Sequence, residues 1–301
     1  MEDYQRHSVP PAPWAFRVLV YPIFKGLSLL PFWVLHRISD VLFVLIYGLF
    51  GYRKKVVREN LAHSFPEKSA ADRKTIEREF YRHFCDVLVE TIKGLSISAE
   101  ELSRRMVNVD QSIYDELNRD QRSAIVVMSH CGNWEWICLM SQLSCEQKVQ
   151  CVYKTLSNPG FDWLMFHQRT RFQVNAVPME QILRIMSQNK AHCTVTAFIG
   201  DQSPSSGKGP HWTSFLNQET AFMMGSEKIA KKLNLGLVYL SCQKVGRSRY
   251  EARTHWLCQD PSLEPTGAIT DSIATAIENE IRQQPAYWLW SHRRWKHKKV
   301  S

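Results

Sequence analysis

The stretch 123–143 reads SAIVVMSHCGNWEWICLMSQL, and its division into an apolar run, a polar turn and an amphipathic run decides the fold. SAIVVMS (123–129) carries no charge and predicts an apolar strand. NWEWICLMSQL (133–143) predicts a helix, and His130, Cys131 and Gly132 form the turn between the two. Outward from this junction the alternation repeats. Downstream, strands are expected at VQCVYK (149–154), 174–177, CTVTAFIG (193–200), LGLVYLSC (235–242) and 250–254. Helices are expected at 161–171, 179–189, 219–233 and 266–282, with a Ser/Pro/Gly-rich loop over 201–213. Upstream, apolar residues spaced by three and four predict a long helix from about Pro66 to Lys93, stopped by Gly94. Alternating β and α elements imply an α/β sandwich with a mainly parallel sheet.

The chain has 301 residues, enough for one large domain or two small ones. Apolar residues make up 44% and charged residues 22%, which excludes disordered and collagenous classes. Lys plus Arg outnumber Asp plus Glu by 38 to 29, a net charge of +9 with His neutral. The expected partners are therefore anionic: nucleic acid, an acidic membrane surface, an acidic protein or a phosphorylated substrate. The eight cysteines form no C-x-x-C pair and no close Cys/His cluster, so no zinc site is expected. Cys138 and Cys193 lie in apolar runs and read as buried, reduced thiols in a reducing compartment.

Residues 18–52 are strongly apolar, interrupted by His36, Arg37 and Asp40, and end in the basic cluster Arg53, Lys54 and Lys55. Three readings fit: a membrane anchor, a helix lying in the interface, or a buried hairpin. Trp14, Tyr21, Phe32, Trp33, Tyr47 and Tyr52, with the basic exit, suit a headgroup layer. The N-terminus lacks the order of a secretory signal. The division expected is an N-terminal membrane-anchoring segment, 1–60, and a catalytic domain, 61–301.

In open α/β sheets ligands gather at the carboxyl ends of strands. Two polar constellations fall there. The first is Ser129-His130-Cys131-Gly132-Asn133-Trp134-Glu135. On one continuous helix His130 and Glu135 would point about 140° apart. Across a strand-to-helix turn they can converge, with Gly132 permitting the turn and Asn133 capping the helix. A His beside a carboxylate makes a general base of fixed tautomer, and a helix N-terminus offers N–H groups to an oxyanion. The plain alternative is a helix cap with a buried His. The second constellation, Gly200-Asp201-Gln202-Ser203-Pro204, brings a carboxylate to the same rim; the alternative is a turn in which Asp201 bonds its own backbone. Lys154, Arg169 and Arg171 lie between, and Arg suits phosphate, although a solvated helix face would also hold these two. In the tail YWLWSHRRWKHKK (287–299), Trp interleaved with Arg and Lys could stack on bases or sit at lipid headgroups; the apolar N-terminal unit favours the membrane over nucleic acid. G-x-S-x-G, P-loop and H-E-x-x-H signatures are absent from the sequence.

SHCGNWEW resembles the His-x4-Asp/Glu block of membrane acyltransferases, in the His-x2-Asn-x-Glu form of the bacterial late lipid A acyltransferases. VVRENLAHSFPEKS, VYKTLSNPGFD, GDQSP and PAYWLWSHRRWK follow the same family in order, so the resemblance covers about residues 15–298. Cys131 and the loop GDQSPSSGKGPHW depart from it, which bears on acceptor and acyl-chain choice. The resemblance implies an α/β acyltransferase fold with an N-terminal membrane helix, in a cytoplasm-facing inner-membrane enzyme of Gram-negative bacteria. It would move a fatty acyl group from acyl carrier protein to a hydroxyl of an acylated lipid A precursor, with no metal, nucleotide or other cofactor. His130 would be the base and Glu135 its partner. Backbone N–H groups near Gly132 and Asn133 would hold the oxyanion. Lys154, Arg169 and Arg171 would meet the phosphorylated sugar, with Asp201 and Gln202 organising that site. The rivals are an acyltransferase acting on another glycolipid or glycerolipid, and a non-catalytic lipid-binding membrane protein.

Overall fold

In the computed structural model, which describes residues 4–204 and 209–299, the expected strand forms over Ala124–Met128, is buried throughout and sits near the middle of a seven-stranded sheet. The strands are β1 (Met106–Asn108), β2 (Ala124–Met128), β3 (Lys148–Tyr153), β4 (Asn175–Pro178), β5 (Thr194–Ile199), β6 (His211–Phe215), β7 (Gln218–Phe222), β8 (Gly236–Gly246) and β9 (Arg249–Cys258). The sheet order is β1-β9-β8-β2-β5-β3-β4, with β6 and β7 a separate hairpin. Five neighbouring strands, β8 to β4 in that order, run parallel; β9 turns back antiparallel to β8, and β1 pairs parallel with β9. The fold is thus α/β with a mainly parallel sheet.

The helices are α1 (Tyr21–Leu29), α2 (Phe32–Phe43), α3 (Lys54–Ser64), α4 (Ala70–Lys93), α5 (Ala99–Arg105), α6 (Ser112–Arg119), α7 (Trp134–Ser144), α8 (Pro159–Arg169), α9 (Ile182–Gln188), α10 (Gly225–Leu233) and α11 (Ala268–Gln283). β2 shows why a continuous apolar run is needed. Ile125 and Val127 pack into one core with residues of α3, α4, α10 and α11. Ala124, Val126 and Met128 pack into a second core with α5, α6 and α7. Alternate side chains enter opposite faces, and both faces are covered. α4 opens with a reciprocal Ser69–Asp72 capping box and ends at Gly94, as expected.

Two readings of local structure are corrected. Residues 219–222 belong to the β6–β7 hairpin, and α10 begins only at Gly225. Leu216 and Asn217 both take positive φ, 50° and 62°, the two-residue hairpin turn that the Leu-Asn pair disguises. Residues 205–208 of the expected loop lie outside the described residues. The tail is also different. Trp288, Trp290 and Arg294 are at most 1% exposed and belong to the packed core, so these two rings offer neither bases nor lipid a stacking face; Trp295 is half-buried, and Arg293, Lys296, Lys298 and Lys299 are exposed. All eight cysteines are free thiols; Cys138 is buried, but Cys193 is only partly so.

The apolar N-terminal unit packs α1 and α2 against α4 and leaves the rest bare. Within Phe32–Leu49, only 11% of residues are buried. Leu19, Ile23, Leu29, Trp33, Leu49 and Phe50 are all exposed. That is an unusually large apolar surface to leave in water, so the buried-hairpin reading falls away.

Candidate active site

β2 and β5 are neighbours, so their carboxyl ends bring residues 129–135 and 200–203 together. His130 follows β2. Its Nδ1 lies 2.7 Å from Asp201 Oδ1, and its backbone N–H donates to Asp201 Oδ2 at 2.9 Å. A carboxylate can only accept, so the ring proton sits on Nδ1 and Nε2 keeps its lone pair. Gln202 Nε2 donates to that lone pair at 3.2 Å. Trp288 Nε1 supplies Asp201 Oδ2 with a further hydrogen bond at 2.7 Å. Burial alone would raise the Asp201 carboxyl; the His130 charge and these hydrogen bonds outweigh it and bring its pKa to about 2. Trp134 packs edge-on against the His130 ring.

Glu135 does not hold His130. Both its oxygens go to Arg169, whose Nε and Nη2 donate at 2.9 and 2.7 Å in a buried, bidentate pair. Five residues of sequence separation suggested the His130–Glu135 contact, but the ring nitrogens of His130 meet Asp201 and Gln202 instead. Arg169 is therefore engaged within the protein rather than free for a phosphate. Arg171 is engaged too, donating to the Gly94 carbonyl at 2.6 Å. Lys154 is exposed at the cavity and makes no ion pair among the described residues. Gln202 stands beside the His130 Nε2 atom, on the cavity wall.

The turn itself is fixed on every side. Gly132 has φ +57°, and an added Cβ would lie 2.6 Å from Cys242 Sγ and 2.8 Å from the Cys242 carbonyl. The Gly132 N–H donates to the Tyr287 carbonyl at 3.0 Å, so it is spent and cannot serve an oxyanion. Its carbonyl accepts from His83 Nε2 at 3.0 Å. Asn133 is fully buried: its Oδ1 caps α7 through the Trp136 N–H, and its Nδ2 donates to Glu90 at 2.6 Å. Under the turn, Glu280 accepts from the Ser129 hydroxyl at 2.6 Å, from the Tyr239 hydroxyl and from the Cys242 N–H, and burial pushes its carboxyl up. Gly132→Ala is expected to cost about 1–2 kcal/mol for the left-handed backbone alone. The Cys242 clash adds to it. Adding Cys242→Ala should restore only part of the loss in a thermal melt, because the carbonyl stays in place; full restoration would mean that the side chain alone was the obstacle.

Sequence reasoning missed Trp288, Glu280, His83 and Glu90. Trp288 lay within a block already singled out, but its aromatic and basic neighbours pointed to a surface role. Nothing local marks Glu280, a carboxylate on an ordinary amphipathic helix.

His130, Trp134, Glu135, Lys154 and Gln202 line a cavity of about 630 Å³. Much of its lining is apolar, supplied by Cys138, Cys151, Ala197, Ile182, Met179 and Ile229. An imidazole with its Nδ1 proton held by Asp201 and its Nε2 turned to a largely apolar cavity has the parts that base catalysis on an apolar substrate requires. A sequence model of the family described as bacterial lipid A biosynthesis acyltransferase matches residues 2–297. The chain belongs to that family and is an acyltransferase of lipid A biosynthesis. It is 26% identical over 258 residues to the lipid A biosynthesis palmitoleoyltransferase of Escherichia coli (strain K12), covering 82% of this chain and 80% of that one. The lipid A biosynthesis acyltransferase of Shigella flexneri matches with the same identity and coverage.

Proposed function

We propose that the chain transfers a fatty acyl group from the thioester of acyl carrier protein to a hydroxyl of an acylated lipid A precursor. The observation that carries this reading is the His130–Asp201 pair, with His130 lining the largely apolar cavity. His130 Nε2 removes the acceptor hydroxyl proton as that oxygen attacks the thioester carbonyl. Asp201 keeps Nδ1 protonated and stabilises the imidazolium that forms. The tetrahedral intermediate collapses, the carbon–sulfur bond breaks, and the departing thiolate takes the proton from Nε2. The step balances with no further reactant. The Gln202 amide and the open N–H groups of the first turn of α7 supply oxyanion donors in place of Gly132. The apolar wall holds the acyl chain. Glu135 and Arg169 brace that wall, and Lys154 remains available to an anionic part of the acceptor.

The exposed apolar surface of 14–50, with Arg53, Lys54 and Lys55 at its end, supports attachment of the N-terminal segment to the cytoplasmic face of the inner membrane. In α2, Ser39 bonds Asp86 of α4, and Asp40 pairs with Arg247 of the β8–β9 hairpin at 2.7 Å. The middle of the helix is thus fastened to the catalytic domain, which favours a segment lying in the interface over one that crosses.

The purified protein, assayed with a lipid A precursor and either acyl carrier protein thioester or acyl-coenzyme A, tests the reading. Transfer from the carrier is expected, with apparent affinity falling as salt rises because the +9 charge steers an acidic donor. Salt-independent preference for acyl-coenzyme A would overturn the donor assignment. Absence of one acyl group from the lipid A of cells lacking the chain, read by mass spectrometry, fixes acceptor and donor length together.

A further inference from the structure

The turn that carries His130 touches a second cavity. His83 and Tyr287, both bonded to Gly132, line a space of about 680 Å³ between α2, α4 and the β8–β9 hairpin. Four cations face it: Arg78 and Arg82 from α4, and Lys244 and Arg247 from the hairpin. The carboxylates Asp40, Glu79 and Asp86 line it as well, but two of them are already engaged. Asp86 takes Lys244 at 3.3 Å and Arg247 at 2.8 Å, and Asp40 takes Arg247 at 2.7 Å. Arg78 and Arg82 stand one helical turn apart and make no ion pair among the described residues. Lys244 spans 3.3 Å to both Asp86 and the His83 ring, loose contacts that leave it with donor capacity.

One wall of the same cavity is apolar. Phe43 and Val44 supply it, and Val44 belongs to the exposed apolar surface of the N-terminal unit. The Arg82 guanidinium lies 5.3 Å from the Phe43 ring centre. Among the described residues, two unpaired arginines, opposed by the cavity's single free carboxylate, Glu79, and backed by Lys244, stand beside an apolar wall continuous with a surface suited to a membrane; together they fit a phosphate joined to a hydrocarbon chain.

We infer that this cavity binds the phosphate group of a membrane lipid, Arg78 and Arg82 gripping it at the rim and Lys244 from below. Lys244 connects through His83 to the Gly132 carbonyl, so an occupied cavity presses on the turn that holds His130. The phosphate can come from bulk anionic phospholipid or from the acceptor glycolipid. The second source rests on the proposed function; the binding itself does not.

The test uses the full chain in an uncharged maltoside detergent and titrates dihexanoyl phosphatidic acid, dihexanoyl phosphatidylcholine and inorganic phosphate by calorimetry. Phosphatidic acid is expected to bind at least tenfold tighter than either of the others. Arg78→Gln with Arg82→Gln should weaken it at least tenfold, with the melting temperature unchanged because both side chains are exposed. Wild-type affinity in that double variant, or equal binding of the two lipids by the unaltered protein, would overturn the inference. A second arm measures KM for a phosphorylated acceptor and for the same acceptor dephosphorylated. A rise in KM confined to the phosphorylated acceptor assigns the cavity to the acceptor. Loss of phosphatidic acid binding with KM unchanged assigns it to bulk phospholipid. Should the unaltered protein transfer no acyl group at all, the proposed function fails and the calorimetry still decides the site.

Discussion

Asp201→Asn is expected to lower turnover by about 10²–10⁴-fold, as much as removing the base with His130→Ala. The reason is the way Asp201 divides its oxygens. Oδ2 accepts two N–H groups, from the His130 backbone and the Trp288 indole, and Oδ1 accepts the His130 Nδ1 proton. An Asn has one accepting oxygen. Placed at the Oδ2 position it keeps two of the three bonds, which puts its NH₂ group against Nδ1. The imidazole must then shift its proton to Nε2, the nitrogen that should accept from the acceptor hydroxyl. Turnover should collapse while acceptor KM changes little. The His130→Ala/Asp201→Asn double variant should be barely worse than either single, since the two act as one unit. A nitrogen-15 spectrum of the imidazole gives a readout independent of activity. Nδ1 protonated in the wild type and Nε2 protonated in the variant is the expected pattern; an unchanged tautomer would end this account.

The second large effect is on stability. Glu135→Ala leaves the Arg169 guanidinium charged and unpaired in a buried setting, which costs about 3–5 kcal/mol. Without the Glu135 charge that held it up, burial pulls the Arg169 pKa down, but a guanidinium starts so far above neutrality that it stays protonated, so loss of the proton offers no escape. Replacing both partners, Glu135→Met with Arg169→Leu, should recover most of that loss, because an apolar pair suits a cavity wall that already contains Cys138 and Cys151. Denaturation in detergent measures all three proteins. The comparison with Asp201 is equally informative. Among folded molecules Glu135→Gln should lose less turnover than Asp201→Asn, because the His130 tautomer does not depend on it. The reverse order would restore Glu135 as the residue that orients His130.

These contrasts show where the sequence could be read and where it could not. The junction at 129–135 was legible because each part is local: an apolar run for β2, Gly132 for a positive φ, Asn133 for the cap. The approach of Asp201 was half legible, since a strand visibly delivers it to the same rim. Its contact with His130 was not, because it depends on β5 lying next to β2, a matter of strand order rather than of spacing. Nearness in the chain favoured Glu135, and only the packing of α8 beside α7 shows that Arg169 engages it first. The tail misled for the opposite reason. Trp beside Arg reads as a surface that grips ligands, yet burial of Arg294 over the Phe222 ring at 4.4 Å turns the same composition into core. Glu280, Glu90 and His83 act on the turn from 43 or more residues away, and no periodicity records such long-range hydrogen bonds.

The bond from Trp288 to Asp201 also bears on the order in which the protein is made. His130 and Asp201 leave the ribosome together with the strands that carry them, but the indole that completes the carboxylate's set of donors follows 87 residues later. β8, the neighbour of β2 on the other side, is likewise a late arrival. A nascent chain halted before residue 287 therefore holds both His130 and Asp201 and lacks the Tyr287 carbonyl and Trp288 indole that lock the turn and the carboxylate. On the proposed mechanism, competence then comes only with the closing segment, and a partly synthesised chain has no completed centre with which to consume acyl donors.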